Sequence, residues 1–411
     1  MRKKIALVIV VCLLVSAMMA ACAPAGEKPP VKEKIVTWLD PSDLTGPVSG
    51  IQIDWSKGYE DYVAEWNKKG GWNGVTVNYI TLDARYDVAR AISCYRRYLG
   101  APKFLWVRST ATSVDKALTP LITGKQILSS VNDGEIVAHP GWAFNCGPAY
   151  QNGFGAVCDW ALADWESKGK SGKPRIGVVH WDNPFGKEWQ RGGLEYAESK
   201  GITVNDVGYA TSAVDFKPYL TTLEEKGMDY LVIWVVEPSI SSVGVQAHEM
   251  GLDKSVEAVI YNWWGPVRTC GLKYHAEELK GHFLLAQSLQ GTDLDNNELA
   301  AGLATKYRGS IDNVGDGYSL GVAGSVRFIT ALERALDKVG YEKLDAYAFK
   351  EAVEGLTGLD PGGCQGITAW SPTDRNGSWY VKFYEFDGTT KAKPITDWVK
   401  CPDTVSLHTW D

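Results

Sequence analysis

The chain carries six histidines, His139, His180, His248, His275, His282 and His408, and none falls into the H-E-x-x-H spacing of a zinc hydrolase. His248 precedes Glu249 on a helical pattern, where a solvated surface pair is the expectation. No G-x-S-x-G turn occurs, so the nucleophile elbow of an α/β-hydrolase is missing. The glycines of Gly315-Asp316-Gly317-Tyr318-Ser319-Leu320-Gly321 have the wrong spacing for a dinucleotide fingerprint and follow no strand, so they read as a loop entering a helix. No C-x-x-C is present, and neither a metal nor a cofactor is expected. Asp182 and Glu237 are the carboxylates that could serve an exported glycoside hydrolase as acid and nucleophile. That chemistry needs them about 5–10 Å apart, a distance the sequence does not set. The 17 Trp and 19 Tyr suit clefts that hold flat or apolar molecules, although most of the tryptophans are expected to fill cores.

The N-terminus says where such a cleft would work. Arg2, Lys3 and Lys4 precede an uncharged apolar run from Ile5 to Ala21, which ends in Met19-Ala20-Ala21-Cys22. This reads as a secretion signal over 1–21. The small residues at 20 and 21 suit a lipoprotein signal peptidase that leaves Cys22 lipidated, with 22–33 as a Pro-rich tether. The competing reading, a retained anchor, meets a run short for a bilayer core. Two or three acyl chains on Cys22 would hold the protein to the cell envelope, in the periplasm or on the outer face of the cytoplasmic membrane. Of the eight cysteines, Cys12 leaves with the signal and Cys22 takes lipid. In an oxidising compartment the remaining even number favours disulfides, with Cys146–Cys158 and Cys364–Cys401 as the expected pairs. Cys94 and Cys270 stay open between pairing and free thiols. The formal charge of −7 and the lack of a basic stripe argue against a nucleic-acid partner.

The chain exceeds one ordinary compact core, which makes two domains the default. Short apolar runs alternate with amphipathic stretches, the pattern of βαβ units around parallel sheets. Strands are expected at Lys34–Asp40, Val75–Leu82, Phe104–Val107 and Ile127–Ser130. Between them, Trp55, Tyr59, Tyr62, Val63 and Trp66 recur at helical spacing until Gly70-Gly71, and helical patterns follow near Tyr86–Leu99 and Ser113–Ile122. After a Trp-rich helix over Tyr150–Ser167 a second series begins, with strands at Arg175–His180, Val204–Tyr209, Tyr230–Val236 and Val256–Tyr261. Helices are expected at Phe185–Lys200, Asp215–Lys226, Ser239–Met250 and Tyr318–Val339, and a late strand at Trp379–Phe386. The fold class is therefore α/β, two Rossmann-like lobes joined by several crossovers. The carboxyl ends of their strands would face one shared cleft.

Several segments, in order, resemble the branched-chain amino-acid binding family of ABC-importer receptors, the type I periplasmic binding proteins. Leu44-Thr45-Gly46-Pro47 resembles that family's turn after the first strand, and Trp66–Gly74 its N-x-x-GG-x-x-G helix end. Ser109-Thr110-Ala111-Thr112 resembles its Ser/Thr loop after the third strand. Ile176–Trp189, with Phe185-Gly186, and Asp215-Phe216 through Met228-Asp229-Tyr230 resemble its segments in the second lobe. The resemblance spans nearly all of 34–411. It implies a first lobe of 34–150 and 288–365, and a second of 151–287 and 366–411. It also implies a hinged receptor that closes on a small molecule and presents it to an ABC permease and ATPase.

The same resemblance gives Ser109, with Thr110 and Thr112 beside it, the role of holding a ligand carboxylate through hydroxyl and N–H dipoles. Capping of the following helix is the competing role. Asn132 and Asp133 occupy the second carboxylate loop, where Asp133 departs from the family's small hydroxyl residue. The family's ammonium-binding glutamate falls near Trp264, which offers only cation–π attraction of roughly 0.5–2 kcal/mol. Glu237, or Asp182, could supply the missing charge from an adjacent loop. Tyr150, Trp181, Phe185, Trp263 and Trp264 would lie on cleft loops, so the expected ligand is a small carboxylate or amide with an aromatic or bulky apolar body. Besides the glycoside hydrolase, a sensing lipoprotein that reports ligand to a signalling partner is the remaining alternative.

Overall fold

The computed structural model describes residues 33–410. The expected signal segment, Cys22 and nearly all of the tether lie outside them. Among the described residues no helix is long and apolar enough to cross a membrane.

Two twisted sheets organise the chain from Ile35 onward, which forms one compact unit. In the first lobe β1 (Lys34–Ser42), β2 (Val75–Asp83), β3 (Phe104–Arg108), β4 (Ile127–Ser130) and β5 (Ala143–Asn145) lie in the order β2-β1-β3-β4-β5. In the second, β6 (Arg175–Trp181), β7 (Thr203–Tyr209), β8 (Tyr230–Trp234), β9 (Ala258–Tyr261) and β10 (Phe283–Ala286) repeat that order as β7-β6-β8-β9-β10. The strands β11 (Tyr380–Phe386) and β12 (Ala392–Pro394) extend this second sheet antiparallel beyond β10, and β13 (Val399–Lys400) pairs with β11. Central strands such as β3, β4 and β8 are buried along their whole length; β8 is accordingly an unbroken apolar run, while β3 ends in the buried Arg108 and β4 in the buried Ser129 and Ser130.

The chain leaves the first sheet after β5, returns to that lobe after β10 with the helices from Gly291 to Glu354, and goes back for β11. The crossing strands bond to one another: Gly377 N–H donates to the Gly147 carbonyl at 2.9 Å, and Leu289 N–H to the Cys364 carbonyl at 2.9 Å. Asn132 ties two of them together. Its Oδ1 accepts from Gly147 N–H at 2.9 Å, and its Nδ2 donates to Gln287 Oε1 at 2.7 Å.

The helix expected over Phe185–Lys200 is two helices, Pro184–Glu188 and Gln190–Ser199, and the second is kinked near its start, where Gly192 adopts φ 90°. A Cβ there would meet the Thr404 carbonyl oxygen at 2.1 Å, so glycine lets the C-terminal segment pass. The expected disulfides are a correction: all six described cysteines are free thiols. Cys146 Sγ instead donates to Asn132 Oδ1 at 3.0 Å. Cys158 is buried inside the helix Tyr150–Ser167 and is not bonded to Cys146. Cys364 belongs to a core cluster of the first lobe's helices and Cys401 to one that includes the second sheet.

Candidate functional site

Loops at the carboxyl ends of both sheets line a small cavity of about 20 Å³. From the first lobe come Val48, Ile51 and Gln52 after β1, Tyr86 after β2, Thr110, Ala111 and Thr112 after β3, and Val131 after β4. Phe185, Val236 and Trp264 close it from the second lobe, and Tyr150 from the start of the crossing helix.

The wall is aromatic and internally braced. The Trp264 indole stacks on Trp55 across the lobes at 5.5 Å between ring centroids, and its Nε1–H donates to the Tyr150 hydroxyl at 3.0 Å. Tyr150 stacks on Trp263 at 5.5 Å and meets Phe185 edge-on at 5.3 Å. Behind Trp55 the Arg108 guanidinium sits 4.5 Å from the ring. Arg108 is itself fully buried and held by Asp40 through two hydrogen bonds, at 2.7 and 2.9 Å. Its Nη1–H also donates to Gln52 Oε1 at 2.7 Å, which turns the Gln52 carbonyl toward Arg108 and its NH₂ away from it.

The polar part of the cavity includes two free hydroxyls. Thr110 and Thr112 are buried, and neither hydroxyl has a protein partner. Thr112 also opens the helix Thr112–Ile122, whose N-cap residue, Ala111, offers no side chain to its first N–H groups. Those groups and the positive end of the helix dipole favour an anion. No carboxylate lines the cavity.

The other residues singled out in the sequence stand elsewhere. Ser109 donates its hydroxyl to the Ala111 carbonyl at 3.1 Å. Asn132 braces the crossing strands, and Asp133 caps the helix Gly134–Ala138 by accepting from Glu135 N–H at 2.9 Å. Trp181 is buried one layer back, edge-on to Phe185 at 5.9 Å. Glu237 is fully buried and accepts from the Ser241 hydroxyl at 2.6 Å, away from the cavity. Burial pushes its pKa up to about 7. Asp182 is exposed and paired with Lys187, whose hydrogen bond lowers its pKa. These two carboxylates sit in unlike surroundings outside the cavity, so the glycosidase pairing loses its support. Sequence reasoning passed over Val48, Ile51, Gln52, Tyr86, Val131 and Val236. All six follow the carboxyl end of a strand, the signal that could have marked them.

The periplasmic binding protein family profile matches residues 41–391. The chain belongs to this family. No curated protein matches it in sequence. Solved structures similar to this binding protein include the branched chain amino acid ABC transporter of Thermus thermophilus with bound valine. That structure shares 18% identity at a TM-score of 0.79, over 92% of this chain and 99% of that one. A fatty acid ABC transporter substrate-binding protein from Thermomonospora curvata also shares 18% identity, at a TM-score of 0.76 over 94% and 97%. A solute binding protein of an ABC transporter from Rhodopseudomonas palustris, in complex with p-hydroxybenzoic acid, shares 15% at a TM-score of 0.75 over 91% and 99%. These likenesses establish the type I periplasmic binding protein fold with its two lobes.

Proposed function

We propose that this chain is the solute-binding lipoprotein of an ABC importer, held to the cell envelope through Cys22, and that it delivers a small carboxylate or amide with an aromatic or bulky apolar body. The lobes would be 34–150 with 288–365 and 151–287 with 366–411. The observation that carries the ligand class is the pair of buried, unpartnered Thr110 and Thr112 hydroxyls on a cavity without a carboxylate. A buried hydroxyl left unmatched costs about 1–3 kcal/mol, and a ligand oxygen would remove that cost.

The lining narrows the choice: aromatic and aliphatic side chains with two free hydroxyls suit an apolar body that bears a polar end. Burying one ring of about 150–250 Å² contributes about 4–6 kcal/mol gross, short of the about 8 kcal/mol net for micromolar affinity. Charge-assisted bonds from the threonines and the helix N-terminus supply the remainder. A calorimetric panel of 4-hydroxybenzoate, its amide, phenylalanine, leucine and a long-chain fatty acid tests this. The expected result is tightest binding to the aromatic acid; binding to leucine or to the fatty acid alone would refute the ligand class. Globomycin-sensitive processing at Cys22, followed by mass spectrometry of the N-terminus, tests the anchor.

A further inference from the structure

Beside the cavity, three buried carboxylates meet where the lobes touch. The helix Thr112–Ile122 of the first lobe packs on Pro184–Glu188 of the second, bringing Asp115 and Asp133 toward Glu188. Asp115 Oδ2 accepts from the Ser130 hydroxyl at 2.8 Å and Val131 N–H at 3.3 Å, while its Oδ1 has no partner. Glu188 Oε1 accepts across the seam from Gly134 N–H at 3.3 Å and from Gln151 Nε2 at 3.0 Å. The other titratable or charged groups here are Arg191, Lys116, Glu135, His139 and Tyr86. Arg191 donates to both Glu188 oxygens, at 2.7 and 2.8 Å. Lys116 is engaged with Glu135 at 3.3 Å. The seam thus collects three buried acids against one dedicated cation.

We propose that closing the lobes on ligand takes up a proton into the Asp115–Asp133 pair, so that ligand affinity is linked to pH. This rests on the reading of the chain as a receptor whose lobes part and close. The cavity-lining residues Thr110, Tyr150, Phe185 and Trp264 are all buried, so a ligand enters only when the lobes separate. In the closed form burial, then the negative charge of Glu188, raises the Asp115 carboxyl to about 7 and the Asp133 carboxyl well above its usual range. Opening admits water and withdraws Glu188, which moves both back toward the ordinary value of about 3.9. A carboxyl whose pKa is higher in the closed form stabilises that form at low pH. The advantage fades as pH rises through the window between the open and closed values, and above about 7 the closed form carries the full repulsion.

The first test is scattering from the full chain without ligand. A smaller radius of gyration is expected at about pH 5.5 than at about pH 8, with the difference reduced in Asp133→Asn, which keeps a helix-capping side chain, and in Glu188→Gln. The second is calorimetry with 4-hydroxybenzoate in buffers of different ionisation heat at about pH 6.5. It should show uptake approaching one proton and affinity falling roughly ten-fold from about pH 5.5 to about pH 7.5. No uptake, or a pH slope that survives in both variants, overturns the proposal. If 4-hydroxybenzoate fails to bind, the ligand class falls separately, and a radius unchanged between the two pH values overturns proton-linked closure by itself.

Discussion

At the scale of single residues, what matters at the cavity is which hydroxyls are free. Thr110→Val and Thr112→Val keep the side-chain shape and delete one donor each. Each should weaken binding of a carboxylate ligand by about 1–3 kcal/mol, or roughly five- to 150-fold in Kd by calorimetry. The melting temperature of the empty protein should hold or rise, because an unmatched buried hydroxyl disappears. Ser109→Ala should leave Kd nearly unchanged, since that hydroxyl is spent on the Ala111 carbonyl. An unaltered Kd in both valine variants would remove the threonines from the site. The loop 109–112 was legible in the sequence; the division of labour inside it was not. Ser109 N–H still donates to the Ser129 carbonyl, so residue 109 continues the strand and the next side chain points to the opposite face. Glu237 illustrates the same limit. A carboxylate at a strand end reads as a cleft residue, yet a hydrogen bond from Ser241, one helical turn on, turns it inward.

At the scale of elements, the helix Ser49–Lys68 supplies Ile51, Gln52 and Trp55 to the site, and its seat depends on one crossing. Gly58 lies against Gly321 of the long helix Gly317–Lys343, and a Cβ on Gly58 would come within 2.3 Å of the Tyr318 carbonyl oxygen. A Cβ on Gly321 would meet the Trp55 carbonyl oxygen at 2.2 Å. Alanine is the better helix former by about 0.8–1 kcal/mol, but backbone atoms cannot rotate away as a side chain would. Overpacking of about 1–3 kcal/mol therefore wins. Gly58→Ala and Gly321→Ala should each lower the denaturant midpoint and weaken ligand binding by shifting Trp55 away from Trp264. A midpoint equal to wild type would show that the crossing has slack. Neither glycine read as a packing contact in the sequence: Gly58 sits in an ordinary helical pattern, Gly321 ended a glycine-rich stretch that read as a loop entering a helix, and the two are more than 250 positions apart. The strands were legible for the opposite reason, since unbroken apolar runs such as Tyr230–Trp234 are set by burial on both faces. The short β5 and β12, three residues each, carry too little pattern to register. So does β10, whose apolar run Phe283–Ala286 resembles a helix fragment as much as a strand.

At the scale of the whole molecule, the two halves are joined by hydrogen-bonded crossing strands without covalent staples. Counting cysteines in an exported chain favoured disulfides, and that count was blind to position. Cys146 is engaged with Asn132 at the crossing, and burial pushes its thiol up to about 12, so little reactive thiolate forms there at neutral pH. Cys158, Cys364 and Cys401 are equally buried, and their thiols are also raised by burial. Cys94 and Cys270 alone among the described cysteines are partly exposed, and burial raises both of these as well, Cys270 to about 12. A thiol reagent applied to the native protein should therefore label Cys94 first and Cys270 slowly among the described cysteines, and reach the other four only after unfolding. The melting temperature should be the same with and without reductant, because no cross-link of typically 2–4 kcal/mol is there to lose. A drop in melting temperature on reduction, or a disulfide-linked peptide in a non-reducing digest, would show that export installs a bridge. Such a bridge at Cys146 would cost the Asn132 contact that ties β4's loop to the crossing. If the lobes part and close as proposed, it would also stiffen a crossing between them, and slower ligand exchange would register it.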